Sequence, residues 1–171
     1  ISFELTDKGS MKTTKSFNIT VQGPETTKFS NVELGSWNDA IGSFFATSEG
    51  IPYNVTQTST VPANQAKIDF LFFKGVTYFN TIASPDDVDA NTISDLKLNL
   101  WTNKKQTRFN TTSVTAAQFD AIGTNYVFPN FDFGSQTTKA TALEENDVIL
   151  FKTEGGKIGL IKIVDLYTKG D

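Results

Sequence analysis

The chain has 171 residues, a formal net charge of −4, and neither histidine nor cysteine. Without these two residue types it can form no Ser–His or Cys–His catalytic centre, no disulfide and no cysteine-ligated zinc or iron–sulfur site. The mild acidity and scattered lysines argue against contact along a phosphate backbone, so we expect no nucleic-acid partner. A chain of this length predicts one domain, or one domain with a fragment of another.

The first 28 residues predict a strand pair and a linker. ISFELTD and KSFNITV are both apolar at every second residue, and a polar turn containing glycine lies between them. Two alternating segments joined in this way are typical of a hairpin, which we place at 1–22. Residues 23–28 are polar and begin with Gly-Pro, which predicts a linker. The main domain is then expected over 29–171, with a first strand at 29–34.

Several later segments also have the pattern of strands. KIDFLFFKG, at 67–75, is apolar on both faces from Phe70 to Phe73, which predicts a central strand covered on both sides. A second strand is expected at 76–83. Two apolar runs, at 148–151 and 158–166, flank Glu-Gly-Gly and predict a hairpin.

Helix signals are few. Residues 110–123 form the best candidate, with Thr112 or Ser113 as N-cap and Gly123 as C-cap. A second short helix is expected to begin at Ser84, followed by Pro85. Many strand candidates and no glycine-rich phosphate loop predict a β-dominated α+β fold, mainly of antiparallel sheet with one or two short helices. An all-β sandwich is the alternative.

The acidic residues suggest two kinds of site. Asp87 begins a D-x-D-x-N pattern, but Thr92 stands where a calcium loop needs glycine, and Leu98 stands where it needs glutamate. Glycoside hydrolysis needs two convergent carboxylates, and no spacing here brings two together. Asp69 interrupts an apolar strand and is the acid that we expect to be buried. We assign no catalytic residue, no metal ligand and no cofactor.

Aromatic residues provide the candidate binding site. Sugars dock on exposed aromatic faces through their apolar C–H groups, while neighbouring polar side chains bind their hydroxyls. Six aromatic residues lie beside Asn, Asp or Gly in segments predicted to be loops or strand ends: Trp37, Tyr53, Trp101, Tyr126, Phe131 and Phe133. The competing interpretation is that they belong to the core, which large aromatic residues dominate. Segment 125–133 is the predicted exposed patch.

An ordered set of motifs resembles a known family. The set comprises LGSWNDAIGSFFATSEGIPYNV, KIDFLFFKG, TIASPDD, LWTNKKQTRFNTT, FDAI and DVILFKTEGGKIGLIKI, over about residues 30–168. It resembles an uncharacterised domain of Bacteroidetes cell-surface lipoproteins. The preceding ISFELTDKGSMKTTKSFNITV is similar to the last two strands of the Ig-like domain that often comes before it. This chain departs from the pattern at Trp37 and in a shorter loop after Gly75.

The resemblance implies an exported protein at the cell surface or outer membrane. It implies membrane attachment only through a lipid on a cysteine upstream, so we expect the chain to be a processed piece of a longer protein. It implies no established activity. We therefore expect a non-catalytic surface module for adhesion or glycan binding, with a glycan or another surface protein as its partner. A carboxylate-based, glycoside hydrolase-like enzyme and a structural spacer domain are the alternatives.

Overall fold

The computed structural model describes residues 25–36 and 39–166, and the backbone of a short strand pair near the N-terminus. This pair consists of β1 (Leu5–Thr6) and β2 (Lys12–Thr13), which run antiparallel with Leu5 opposite Thr13. The rest of the predicted hairpin at 1–22 lies outside the described residues. Its assignment to an Ig-like domain stays a prediction.

Eight further strands follow in the described chain. They are β3 (Phe44–Ala46), β4 (Ile51–Tyr53), β5 (Phe70–Gly75), β6 (Phe79–Ala83), β7 (Arg108–Thr111), β8 (Lys139–Ala140), β9 (Val148–Lys152) and β10 (Ile158–Lys162). They form a five-stranded sheet of order β4-β3-β5-β6-β8 and a three-stranded sheet of order β10-β9-β7. Every pairing in both sheets is antiparallel.

The helices are short. They are α1 (Val55–Thr58), α2 (Pro62–Gln65) and α3 (Ala116–Asp120), and three 3-10 turns lie at Ala90–Thr92, Ser94–Leu96 and Leu98–Leu100. Reciprocal hydrogen bonds between the side chain and backbone of Asn54 and Gln57 cap α1, and Thr115 and Gln118 cap α3 in the same way. Such caps satisfy backbone groups that one helical turn leaves free.

Two hydrophobic cores lie on opposite faces of the five-stranded sheet. Leu71 and Phe73 of β5 face a core that contains Trp101 and residues of the 3-10 turns. Phe70 faces the other core, which it shares with Phe151 and other residues of the three-stranded sheet. The molecule therefore has three layers: the smaller sheet, the larger sheet and the helical turns. This confirms the prediction that Phe70–Phe73 form a central strand covered on both sides.

The fold class predicted from the sequence is confirmed. Antiparallel sheets dominate, the helices are few and short, and the two packed sheets fit either an α+β fold or a β-sandwich. The predicted C-terminal hairpin is also present, with Ile158 opposite Lys152 and Lys162 opposite Val148. Strand β6 occupies most of the predicted segment 76–83.

The predicted first strand at 29–34 is wrong, because this segment is irregular. The backbone of this segment does not pair with a strand, and its side chains Phe29 and Leu34 pack individually against the main domain. Phe29 lies edge-on against Phe45, with ring centroids 6.1 Å apart. The predicted linker at 23–28 is described from residue 25 onward, and there the amide of Thr26 donates to the carbonyl of Thr124 at 2.9 Å. Residues 25–28 therefore lie against the main domain.

The predicted helix at 110–123 is too long at both ends. Residues 110 and 111 belong to β7, because pairing with β9 satisfies their backbone groups. The N-cap is Thr115, and the hydroxyl of Thr112 only accepts a local hydrogen bond from the amide of Val114 at 3.2 Å. The helix ends at Asp120 with Ala121 as its C-cap, so Gly123 is not the C-cap.

The helix expected to begin at Ser84 is also wrong. The first helical turn of this stretch is the 3-10 turn Ala90–Thr92. The Ser84 hydroxyl instead donates to Asp86 and to the carbonyl of Lys105, and it accepts from the amide of Thr107 at 2.9 Å. These bonds connect the turn after β6 to the segment that leads into β7.

Candidate functional site

The buried carboxylate of Asp69 has both a cation and backbone contacts. This residue is only 3% exposed and precedes β5. Lys105 Nζ lies 2.9 Å from Oδ1, while the amide and hydroxyl of Thr47 donate to Oδ2 at 2.9 and 2.6 Å. As the sequence predicts, Asp69 is buried. Its contacts join β5 to the turn after β3.

Asp87 is fully buried and joins two parts of the larger sheet. Its Oδ1 accepts from the amides of Asp89 and Ala90 at 3.0 and 2.8 Å. Its Oδ2 accepts from the Thr138 hydroxyl at 2.6 Å and from Lys139 Nζ at 3.2 Å. Asp87, the first residue of the D-x-D-x-N pattern, therefore links the 84–90 turn to β8 through hydrogen bonds and an ion pair.

Lys139 is shared between two acids. Besides Asp87, it forms an ion pair with Asp89, and its Nζ lies 4.7 Å from the centroid of the Tyr78 ring. Partial burial acts to lower the pKa of Lys139, but the hydrogen bonds to Asp89 and Asp87 raise it overall. The hydrogen bond from Lys139 lowers the pKa of Asp89, and the hydrogen bond to Asp89 raises the pKa of Tyr78.

Asp86 forms the third pair of this network. Both of its carboxylate oxygens accept from Arg108, at 2.9 and 2.7 Å. Hydrogen bonding to Asp86 raises the pKa of the Arg108 guanidinium. Within residues 25–36 and 39–166, no group of three Asp or Glu residues could hold a metal ion. Asp69, Asp86, Asp87 and Asp89 therefore each form an ion pair with a lysine or arginine. These pairs stabilise the fold.

Three of the predicted site aromatics are buried. Trp101 is 6% exposed, and its ring lies 4.9 Å from that of Phe44 in the core. Tyr53 is 8% exposed, and its hydroxyl donates to Glu49 at 2.6 Å. Phe131 is also 8% exposed. Trp37 lies outside the described residues. The structure therefore does not bring the six predicted residues together on one surface.

Of the predicted site residues that the structure describes, Phe133 is the most exposed, at 61%. It follows the buried Phe131, whose ring meets it edge-on with centroids 5.5 Å apart. The Asn110 side chain fixes the backbone between them. Its Nδ2 donates to the carbonyl of Asp132 at 3.1 Å, and its Oδ1 accepts from the amide of Asp132 at 2.9 Å. This two-point contact fastens the loop to β7.

The Asp132 carboxylate stabilises the turn that carries Phe133. Its two oxygens accept from the amide of Gly134 and the hydroxyl of Ser135, each at 2.8 Å. The Ser135 hydrogen bond, followed by that of Gly134, lowers the pKa of Asp132. The backbone on both sides of Phe133 is therefore held in one conformation while the ring faces solvent.

Lys152 completes this surface. It ends β9, and its Nζ lies 4.1 Å from the centroid of the Phe133 ring, which is a cation–π contact. We call Phe131, Phe133 and Lys152 the Phe133 platform. Lys152 and Asn110 carry no local sequence signal of this site, because only the pairing of β7 with β9 brings these two strands beside the 131–135 loop.

Tyr126 lies beside a second feature of the same segment. It lines a shallow depression of about 340 Å³ whose other lining residues are Ser113, Val114, Gln118 and Ala121. Its ring meets that of Phe128 edge-on at 5.2 Å. None of these lining residues is acidic, so the depression offers apolar surface and hydrogen-bonding groups and no carboxylate.

No family model, curated protein or solved structure matches this chain. The resemblance to a lipoprotein domain of Bacteroidetes therefore stays a prediction. Among the described residues, no helix is both long and apolar enough to span a bilayer.

Proposed function

We propose that this chain is a non-catalytic cell-surface module that binds glycan at the Phe133 platform. The observation that carries the proposal is an aromatic ring that is 61% exposed on a loop with a fixed backbone. Single exposed apolar residues are common on protein surfaces, so the exposure of Phe133 alone indicates nothing. What distinguishes Phe133 is that hydrogen bonds hold the backbone on both sides of it, and that the Phe131 ring and the Lys152 ammonium lie beside it.

The fixed loop favours binding for a thermodynamic reason. A ligand that stacks on a mobile ring must order that ring and its backbone, which reduces the affinity. Here Asn110 and the side chain of Asp132 order the turn before any ligand arrives. A sugar can then place its apolar C–H face on the Phe133 ring. Exposed Asn130 and Ser135 lie close along the chain and can bind hydroxyl groups.

Binding is better supported than hydrolysis. A glycosidase needs one carboxyl that can hold a proton and a second that is free to act on the sugar. Four acids beside the larger sheet are instead paired with cations: Asp69 with Lys105, Asp86 with Arg108, and Asp87 and Asp89 with Lys139. A structural spacer needs no exposed aromatic ring on a fixed turn, so the platform also weighs against that alternative.

The cell-surface part of the proposal rests on the motifs shared with Bacteroidetes lipoproteins. We propose that the parent protein is exported and attached to the outer membrane through an upstream lipid, with this module facing outward. Its partner is a glycan, either free or carried by another surface protein.

A glycan array followed by calorimetry tests the proposed function. We expect Phe133→Ala to weaken binding to any glycan found on the array by roughly tenfold, which is ~1.4 kcal/mol. Phe79→Ala is the matched control, because Phe79 is 58% exposed and lies on β6 of the other sheet. Equal affinity of both variants, or no binding by the unmodified chain, would contradict the proposal.

A further inference from the structure

The cation in the Phe133 platform has no acidic partner. Among the described residues, no carboxylate oxygen lies within 4.0 Å of Lys152 Nζ, so this ammonium forms no ion pair. The Phe133 ring attracts the ammonium but leaves its charge uncompensated. The ammonium is therefore held in place with its charge available to a ligand.

The acids near this face contact or act on other groups, and none of them forms an ion pair with Lys152. Lys152 is opposite Arg108 in the β7–β9 pairing, so the two cations are neighbours across the strands. Asp86 is bound to Arg108 at two points, and the charge of Glu154 acts on Arg108 as well. Asp132 keeps its negative charge but directs both carboxylate oxygens to neutral donors of its own turn. The platform therefore has an ammonium without an ion pair beside its apolar ring.

This arrangement matches a sugar that carries a carboxylate. The pyranose ring of a uronic acid has apolar C–H faces, and its carboxylate projects from the rim. A sugar that stacks on Phe133 takes the place of the ammonium over the ring. The flexible lysine stem then lets the ammonium reach the rim of the sugar.

Resting on the proposed function, we infer that the Phe133 platform selects acidic glycans of the uronic acid class, with Lys152 as the residue that determines this specificity. Phe133 binds the sugar face, and Lys152 binds the carboxylate. A neutral sugar gains only the first of these contacts.

The test compares polymers that share their sugar rings but carry either a carboxylate or an uncharged hydroxymethyl group. Polygalacturonate, alginate and hyaluronan are each titrated by calorimetry beside their carboxyl-reduced forms, which keep the sugar rings and lose the charge. We expect the unmodified chain to bind at least one acidic polymer roughly three- to tenfold more tightly than its reduced form. This preference should weaken as the salt concentration rises.

Variants at position 152 test whether Lys152 causes the preference for the acidic polymer. Lys152→Met keeps an unbranched apolar side chain and removes the charge, so we expect it to lose the preference for the acidic form. Lys152→Arg should retain it. Lys74→Met is the matched control, because exposed Lys74 on β5 undergoes the same change in charge. Thermal melting of each variant verifies that it is folded.

The outcomes separate this inference from the proposed function. Equal binding of acidic and reduced polymers, a preference that survives Lys152→Met, or binding of neutral glycans alone overturns the inference while the glycan-binding function stands. Failure of the unmodified chain to bind any polymer or any glycan on an array overturns both.

Discussion

Asp87 connects the 84–90 turn to β8, and its replacement tests that connection directly. Alanine at this position removes four hydrogen bonds from a side chain that is fully buried. Two backbone amides and the Thr138 hydroxyl lose their acceptor, and each donor left unsatisfied costs about 1–3 kcal/mol. Lys139 keeps its pair with Asp89, which limits the total.

We therefore expect Asp87→Ala to lower the free energy of unfolding by about 3–5 kcal/mol, the usual range when one partner of a buried ion pair is removed. For a chain of this size the melting temperature should fall by roughly 6–20 °C. Asp87→Asn should cost less, about 1–3 kcal/mol, because its amide oxygen can still accept from the backbone while the pair with Lys139 is lost.

Urea denaturation followed by far-UV circular dichroism measures these losses. Asp95→Ala is the control, because Asp95 is exposed, lies in the same stretch and undergoes the same change in charge. It should change the stability by less than about 0.5 kcal/mol. A loss below about 1 kcal/mol for Asp87→Ala, with an unchanged denaturant slope, would refute the view that this carboxylate holds the turn to β8.

Three further predictions concern stability. Phe73→Ala should cost about 3–5 kcal/mol in urea denaturation and the half-buried Phe72 clearly less; a loss below about 1 kcal/mol for Phe73 would place it outside the core. The folded pKa of Asp89 lies below its usual 3.8, so its stabilisation is complete above that pH and is lost as the pH falls through the folded value. The folded pKa of Lys139 lies above its usual 10.5, so its contribution is present below that pH and is lost as the pH rises through the folded value. A melting temperature that does not fall at acidic pH would contradict the prediction for Asp89, and one that does not fall at alkaline pH would contradict the prediction for Lys139. If residues 1–22 belong to a preceding domain, their deletion should leave the melting temperature of the rest almost unchanged, and a large decrease would contradict that division.

The sequence predicts the layered β architecture because hydrophobic pattern alone determines much of it. Phe70–Phe73 are apolar on both faces, which only a strand between two cores can satisfy. The C-terminal hairpin has an equally local signal, since Gly-Gly lies between two apolar runs. Both predictions agree with the structure for this reason.

Errors occur where long-range contacts outweigh local preference. Asn110 and Thr111, at the start of the predicted helical segment, pair instead with β9. Ser84 has the local pattern of an N-cap, but its hydroxyl binds the Lys105 carbonyl and the Thr107 amide instead. No sequence window contains these partners, because each lies more than twenty residues away.

The candidate site could be predicted only in part. Segment 125–133 has an aromatic pattern that indicates an exposed patch, and Phe133 is indeed exposed. The same pattern cannot distinguish Phe133 from the buried Phe131, because the alternation between them depends on the contact of Asn110 with the loop. Lys152 has no local signal at all. Its role follows from the packing of the 131–135 loop beside β9.

The central claim is that a glycan binds at Phe133, and one calorimetric comparison tests it most directly. The glycan bound most tightly on the array is titrated into the unmodified chain, Phe133→Ala and Phe79→Ala, each verified by its melting temperature to be folded. We expect the unmodified chain and Phe79→Ala to bind with the same affinity and Phe133→Ala to bind roughly tenfold more weakly. Equal binding by all three proteins would contradict it.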